Sequence, residues 1–388
     1  MATCLKQLSL CLILVLSLIS SAILAGDEVS TNQSSYSEAS LQSPYASWGV
    51  EIDNPTSIKV WDAWKTFKKK KDVIVAVVDT GIDPNHPFLK GNIYVNEGTL
   101  SASNFGKDFS KGRKSAATPD DSHGHGTHVA GIIKSIFPEV KILALKYYNP
   151  MASGQENLQS TIDALKYAVN AGVDIINYSG GGAEPSADEL KILKEAEAKG
   201  ILVIAAAGND EQDLDKGQFH YYPASYRLAN IVTVTTYDEK LEVLSSSNYG
   251  SSTVDLAAPG NRIRSSLPYN RAGYLTGTSQ STAFVSGVAA LIKSQFPQFN
   301  YLSIKRIIIE SAKKEQKLIG KISSGGRLDA NLALQLAASY SKDEIKLASI
   351  SRGLAQRNPN SVVKKPGKII YLPKKARNHS AKKNVANK

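Results

Sequence analysis

The stretch DVIVAVVDTGID, residues 72–83, decides the fold expected of this chain. Its run of β-branched apolar residues predicts a buried strand, and Gly81 permits a sharp turn directly after that strand. From here on, short apolar runs alternate with helical patterns, which is typical of a mostly parallel sheet covered by helices on both faces. We therefore predict an α/β fold, a single domain with a three-layer, doubly wound sheet. In such sheets, sites form beyond the carboxyl ends of the strands.

Asp79 stands at the carboxyl end of this first strand, within the sequence VVDTGID. An Asp-Thr-Gly in this position can supply one carboxylate of an aspartic protease dyad, or the acidic member of a serine protease triad. The dyad needs a second Asp-Thr-Gly-like copy or a homodimer, and this chain has no second copy. An Asp at a strand end can also simply cap a turn, so Asp79 alone does not settle its own role.

The segment HGHGTHVAGII, residues 123–133, places a histidine at a helix start. His125 precedes a Gly-Thr turn into a helix whose apolar side includes Val129 and Ile132, so its imidazole is a candidate general base. A metal site is the alternative interpretation. Its ligands would be His123, His125, His128, Asp120 and Asp121. Their spacing matches no standard zinc pattern, and we predict no metal ligand among them.

Two further motifs follow the histidine. In TGTSQSTAFVSG, residues 276–287, Ser279 opens a helix, and its own backbone N–H favours a developing negative charge at the helix N-terminus. In VIAAAGND, residues 203–210, Asn209 ends an apolar strand and can donate an amide hydrogen bond to an oxyanion. Considered without the other motifs, Ser279 would be interpreted as a helix N-cap and Asn209 as a turn residue. Their joint occurrence with Asp79 and His125 favours catalysis.

In this order, the motifs VAVVDTGID, HGTHVAG, AAAGN and GTSQS resemble those of the subtilase family of subtilisin-like serine proteases. The resemblance covers residues 44–340. It implies a serine endopeptidase that cleaves polypeptides through an acyl-enzyme. Carried over to this sequence, it makes Ser279 the nucleophile, His125 the general base and acid, and Asp79 the group that orients the imidazole. Asn209 would join the backbone N–H of Ser279 in the oxyanion hole.

The same resemblance implies a groove for an extended substrate. The segment NYSGGG, residues 177–182, matches the family's substrate-pairing strand, and ASGQ, residues 152–155, looks like the opposite edge. The candidate substrate-binding residues are Ser179, Gly180, Gly181 and Gly154. His128 falls inside the helix as a structural residue.

Two positions depart from the family pattern. Ala283 stands where the serine motif usually carries Pro, which motivates the alternative of a catalytically weak binding protein with a protease fold. Phe88, in HPFL, stands where many members carry an Asp that helps to hold calcium. We therefore predict that no cofactor is required and that the strong calcium site is absent, while a weaker calcium site stays open.

Residues 1–25 have the pattern of a secretory signal peptide, with a lone Lys6, an apolar run over 8–19 and then small residues. A membrane anchor is the alternative, but the apolar run is short for a span. We expect a secreted or periplasmic protein whose mature chain has no transmembrane segment. Cys4 and Cys11 both lie in the removed segment, so disulfides and thiol catalysis are excluded from the mature chain.

The positive charge is concentrated at the carboxyl terminus. Residues 341–388 contain 13 Lys or Arg and 2 Asp or Glu, a net charge of +11 that equals the charge of the whole chain. This basic segment is predicted to be a flexible tail, either a solubilising end or a binding segment for an anionic surface polymer.

The domain prediction is a linker or short pro-segment over 26–44, a catalytic domain over 45–340 and this tail. We expect a monomer.

Overall fold

The structure is a computed structural model that describes residues 35–95, 105–110 and 118–357, with side chains up to residue 343. The predicted signal peptide and the part of the basic tail beyond residue 357 lie outside the described residues. Among the described residues, no helix has both the length and the apolar character needed to cross a membrane.

Nine strands of the described chain form one sheet in the order β10-β11-β7-β6-β5-β4-β1-β3-β2. All neighbouring pairs are parallel except β10 and β11 at one edge. Two further strands, β8 and β9, form a separate antiparallel pair. The strands are β1 Ile74–Asp79, β2 Gly106–Asp108, β3 Lys141–Lys146, β4 Ile175–Tyr178, β5 Leu202–Ala206, β6 Ile231–Tyr237, β7 Leu256–Pro259, β8 Ile263–Leu267, β9 Arg271–Leu275, β10 Lys313–Lys314 and β11 Gly326–Arg327.

Helices cover this sheet on both faces. They are α1 Glu38–Leu41, α2 Val60–Trp64, α3 His125–Ile136, α4 Gly154–Ala171, α5 Ala187–Ala198, α6 Thr278–Gln295, α7 Tyr301–Glu310 and α8 Ala330–Arg357. Helices α3 and α6 pack against each other, and α6 crosses β4, β5, β6 and β7. Helices α4 and α5 pack together over the strands β1 and β3 on the other face. The predicted three-layer α/β architecture is confirmed.

The core beneath α4 shows why these residues form these elements. Ala164, Leu165 and Ala168 recur at helical spacing, and they pack on Val78 and Ile176 of the central strands. Strands buried on both faces need apolar residues at every position, which explains the near-continuous apolar run of β1. Helix α6 is buried almost all round, as expected for a helix enclosed between the sheet and α3.

Residues 35–44 belong to the segment predicted to be a linker or a short pro-segment. Tyr36 lies against the rings of Trp64 and Phe67, with ring centroids 5.5 and 5.0 Å away, and Leu41 of α1 is buried. This segment is therefore packed onto the domain. The aromatic contacts reach residues that are distant in the sequence, so the polar composition of the segment gave no sign of them.

The predicted domain boundary at residue 340 lies next to a division of the chain into two units, and it falls within a helix. Two units are distinguished, one ending at Ser339 and the other beginning at Tyr340, but helix α8 continues through this point to Arg357. The first part of the predicted tail, up to Arg357, is therefore helical.

Candidate active site

The predicted site residues follow three adjacent strands of the sheet. Asp79 ends β1, Ser179 directly follows β4, and Asn209 comes three residues after β5. Since β5, β4 and β1 are neighbours and run parallel, their carboxyl ends meet at one edge. Brought together by the fold, these positions form the kind of crevice where α/β sheets place their sites.

Asp79 and His125 are in direct contact. The Asp79 side chain is 3% exposed, and its Oδ1 lies 2.7 Å from Nδ1 of His125. The same oxygen accepts a hydrogen bond from the backbone N–H of Thr80 at 2.8 Å. Because Nδ1 donates to the carboxylate, the other ring nitrogen of a neutral His125, Nε2, is left as the proton acceptor.

The pKa of His125 reflects two opposing effects. Burial by itself lowers the pKa, but the charge of Asp79, its hydrogen bond to the ring and the charge of Asp121 together outweigh burial, so the pKa is raised above its ordinary value of 6.5. His128, three residues along α3, behaves in the opposite way. Its Nε2 donates to the carbonyl of Ile263 at 2.9 Å, and burial, followed by the charge of His125, lowers its pKa to about 4. His128 is thus a neutral structural residue, as predicted.

Asp121 fixes the start of α3, a role that the sequence motifs did not predict. Its Oδ1 accepts hydrogen bonds from Thr80 Oγ1, His123 N and Gly124 N at 2.7–3.0 Å. Its Oδ2 accepts from the N–H and the hydroxyl of Thr127 at 2.9 and 2.7 Å. A buried carboxylate therefore satisfies the helix N-terminus and ties it to the turn after β1. The signal in the sequence was an Asp shortly before a helix start.

Ser279 lies in the first turn of α6 and is 8% exposed. Its hydroxyl donates to the backbone carbonyl of Ser179 at 3.0 Å, so the hydroxyl points at the end of β4 in this structure. The N–H groups in the first turn of a helix have no intrahelical acceptor, and that of Ser279 is one of them. Ala283 is fully buried within α6, and the helix begins at Thr278 without the family's proline.

The side chain of Asn209 is oriented by the same helix. Its Oδ1 accepts from the N–H of Thr278 at 3.0 Å, which leaves the Nδ2 donor for another group. Asn248 braces the turn that carries Asn209, because its Nδ2 donates to Ala207 O at 2.9 Å and its Oδ1 accepts from Asp210 N at 3.0 Å. Asn248 is buried and lies 38 residues from Asp210, so nothing local in the sequence identified it.

A buried polar network joins β4 to α6. Asn177 donates to the hydroxyl of Ser179 at 2.8 Å and accepts from the hydroxyl of Ser286 at 2.9 Å. The hydroxyl of Ser179 in turn donates to Ser279 O at 3.2 Å. These contacts fix the helix that carries Ser279 against the strand end that carries Ser179.

Gly154 is placed at the exposed start of α4, where a capping box of Ser153 and Glu156 forms the helix N-terminus. The segment 152–155 is therefore a turn and a helix start. A Cβ atom added to Gly154 would meet no atom within 4 Å. Its pairing with a substrate stays a prediction.

The surroundings of Phe88 do not fit a calcium ion. The ammonium of Lys134 donates to the carbonyl of Phe88 and lies 4.5 Å from the centre of its ring, so a positive charge already stands beside that carbonyl. Within the described ranges, no group of three or more His, Cys, Asp or Glu side chains is arranged to hold a metal.

A parallel sheet with an Asp–His pair and a helix-borne Ser at one edge is an arrangement found in serine proteases. The chain matches the model of the subtilase family of peptidases over residues 70–344, and it belongs to that family. It is a subtilisin-like serine endopeptidase, as its relatives also indicate.

The relatives include the major intracellular serine protease of Bacillus subtilis (strain 168), 36% identical over 246 residues, which are 61% of this chain and 73% of that protein. Thermitase of Thermoactinomyces vulgaris is 31% identical over 291 residues, 72% of this chain and 95% of that protein. The crystal structure of a cold adapted subtilisin-like serine proteinase superposes with a TM-score of 0.57 at 27% identity, covering 66% of this chain and 88% of that one. These similarities confirm the predicted family and enzyme class.

Replacing Asp121 by Asn tests its positioning role. Asn has one oxygen in place of two, and its NH₂ group would face the donors of Thr127. We expect kcat/KM to fall about 10- to 100-fold, mainly in kcat, because His125 shifts with its helix. We also expect the free energy of unfolding to fall by about 1–3 kcal/mol, since buried donors lose their acceptor.

The matched control is Asp120→Asn, because the exposed Asp120 carboxylate accepts from Thr118 Oγ1 at the surface. This variant should stay within about 0.5 kcal/mol of the wild type. Peptide hydrolysis and urea unfolding give both readouts. Equal effects of the two substitutions on kcat would show that Asp121 does not position His125.

Proposed function

We propose that this endopeptidase hydrolyses peptide bonds through an acyl-enzyme, with Ser279 as nucleophile, His125 as general base and acid, and Asp79 as the group that orients the imidazole. The observation that carries the proposal is the 2.7 Å contact between Asp79 Oδ1 and His125 Nδ1. It selects the ring tautomer whose Nε2 accepts a proton, and the carboxylate stabilises the imidazolium that then forms.

In the first step, the Ser279 hydroxyl turns from Ser179 O towards Nε2 of His125. Its Oγ attacks the carbonyl carbon of the substrate, while the hydroxyl proton moves to Nε2. The carbonyl oxygen becomes an oxyanion, which would accept hydrogen bonds from Asn209 Nδ2 and the backbone N–H of Ser279. Preorganised donors of this kind contribute roughly 3–4 kcal/mol each to the transition state.

In the second step, Nε2 of His125 gives its proton to the leaving amine, the C–N bond breaks and the acyl group stays on Ser279. Water then takes the place of the amine: its oxygen attacks the acyl carbon while one of its protons moves to Nε2 of His125. His125 returns this proton to Ser279 Oγ as the bond between Oγ and the acyl carbon breaks, which releases the acid and restores the free enzyme. Asp79 stays ionised throughout, because its task is to hold the imidazole and its charge.

The substrates proposed are extended polypeptides. Ser179, Gly180 and Gly181 continue from β4, and the carbonyl of Ser179 accepts a hydrogen bond from the Ser279 hydroxyl. The backbone groups of these three residues are proposed to pair with the main chain of the substrate. Gly154 is proposed for the opposite edge. Main-chain pairing gives affinity without selecting side chains, so any preference for residue type has to come from individual pockets.

Export is part of the proposal, and it rests on the signal-peptide pattern of residues 1–25. The mature protein is proposed to act as a monomer without a required cofactor, and the basic segment to bind an anionic surface polymer. One of the relatives is named an intracellular protease, so location is a property that similarity does not transfer. Amino-terminal sequencing of the exported protein tests the proposed export. An exported protein that still carries residues 1–25 would contradict cleavage of a signal peptide.

Ser279→Ala removes the proposed nucleophile. We expect peptidase activity to fall at least about 10⁴-fold and fluorophosphonate labelling to disappear, with the unfolding temperature unchanged. Ser281→Ala is the matched control on the same helix, since the Ser281 hydroxyl donates to the carbonyls of Ala258 and Pro259. That control should keep its labelling. Labelling of Ser279→Ala at the wild-type level would overturn the assignment.

The pH dependence follows from His125. The general base accepts a proton only when it is neutral, so kcat/KM falls as the pH drops through the pKa of this residue. Because Asp79 raises that pKa, the acidic limb should have its midpoint above pH 6.5. Asp79→Asn should move the midpoint down and lower kcat by about 10⁴-fold.

The pH profile of kcat/KM measures the midpoint, and an NMR titration of the His125 ring in the Ser279→Ala variant measures it independently. A midpoint at or below pH 6.5 by both methods would contradict the dominance of Asp79 over burial.

A further inference from the structure

A half-buried ammonium in the last turn of α3 has no carboxylate partner among the described residues. Lys134 Nζ donates to the backbone carbonyl of Phe88 and lies 4.5 Å from the centre of the Phe88 ring. The carboxylate of Glu139, further along the chain, is paired with Lys69 at 3.1 Å instead. Because an ammonium has three N–H donors, Lys134 can still donate to other acceptors.

Partial burial makes this positive charge costly. It lowers the pKa of Lys134 from its ordinary value of 10.5 to about 8, and no charged group of the described chain offsets the shift. A charge held partly out of water interacts more strongly with a nearby opposite charge than a fully hydrated one does. Lys134 is therefore suited to bind an anion from outside the described part of the chain.

A cavity of about 320 Å³ lies beside this ammonium, roughly ten times the 30 Å³ that one water molecule occupies. Its walls come from two parts of the chain that are distant in the sequence, namely the segment 35–44 and the region around the end of α3. The first part contributes Ser35, Ser40 and Ser43, and the second contributes Phe88, Lys134 and Ser135. Hydroxyl groups and one ammonium thus line a space large enough for a small anion.

The hydroxyl of Ser43 is the second donor available in this cavity. Its Oγ accepts from a backbone N–H at 3.3 Å, and its own proton has no acceptor among the described residues. The hydroxyls of Ser40 and Ser135 already donate to backbone carbonyls, at 3.0 and 2.8 Å. An anion in the cavity can therefore accept from Lys134 on α3 and from Ser43 on the segment 35–44.

The carbonyls at the end of α3 are partly neutralised by donors from elsewhere in the protein. Ile136 O accepts from Trp64 Nε1 at 2.9 Å, and Pro138 O accepts from Asn92 Nδ2 at 2.6 Å. The negative end of the helix dipole, which repels anions, is also offset by Lys134 in the last turn. The end of the helix therefore does not prevent an anion from binding beside Lys134.

We propose that this cavity binds a small inorganic oxyanion, phosphate or sulfate, through Lys134 and Ser43. Such an ion has several acceptor oxygens, so it can bind both donors at once. The bound anion joins the segment 35–44 to the last turn of α3, and it stabilises the folded state by mass action. The site is separate from the crevice, because Lys134 lies about 13 Å along the helix axis from His125.

Thermal unfolding tests this site. At about pH 7, below the pKa of Lys134, replacing chloride by phosphate at constant ionic strength should raise the unfolding temperature of the wild-type protein. We expect a rise of at least about 2 °C that reaches a plateau as the site fills. Lys134→Met removes the charge and should abolish the saturable rise, whereas Lys134→Arg keeps the charge and should retain it.

Lys293→Met is the matched control. Lys293 is also a half-buried lysine in the last turn of a helix, but its ammonium donates to the carbonyls of Pro297 and Phe299. This control should keep the saturable rise. Phosphate and sulfate also stabilise proteins in general, because they are excluded from protein surfaces. That general effect has no plateau and is equal in all variants, so the difference between the wild type and Lys134→Met isolates the cavity.

The phosphorus NMR linewidth of inorganic phosphate measures binding directly. The signal should broaden with the wild type and with Lys293→Met but not with Lys134→Met, and Ser43→Ala should weaken binding about tenfold. Equal broadening by the wild type and Lys134→Met would overturn the proposal, and so would equal unfolding temperatures of these two proteins across the phosphate series. Because the readouts are binding and stability, neither result depends on the acyl-enzyme.

Discussion

The contact between a buried carboxylate and an imidazole is the constraint on which the rest of this site depends. An ionised Asp79 without partners would be costly at the end of a buried strand, and the hydrogen bonds from Thr80 N and His125 Nδ1 offset that cost. The contact can form only if the carboxyl end of β1 and the amino end of α3 meet. Asp121 brings them together, because it accepts from Thr80 and from the first residues of α3 at once.

The second constraint is the placement of α6. This helix is buried between α3 and the sheet, and its first turn lies at the edge of the sheet where β4 and β5 end. Polar groups specify that position within an otherwise apolar layer. Asn177 and Ser286 join the strand to the middle of the helix, and the backbone N–H of Thr278 donates a hydrogen bond to the Asn209 side chain. When buried polar groups can all be hydrogen-bonded in only one arrangement of the helix and the sheet, they stabilise that arrangement relative to a shifted one.

The crevice brings together the backbone of one part of the chain and an aromatic side chain of another. The segment after β4 offers backbone groups to any extended peptide. Tyr221 comes from a loop 40 residues further on and meets that segment only because Gly181 has no side chain. Glycines that look like flexible linkers in the sequence are thus the places where a ring and, by our proposal, a substrate approach the backbone closely.

The sequence by itself determined the α/β class, the order of the main strands and helices, and the identity of the Asp, His, Asn and Ser candidates, because these depend on local periodicity and on short motifs. It did not determine the packing of residues 35–44, the extension of α8 to Arg357, or the bracing of the site by Asp121 and Asn248. Those features depend on contacts between distant positions. Asp79 and His125 lie 46 residues apart, and Ser179 and Ser279 lie 100 apart, so only the packing of helices on the sheet decides that they meet.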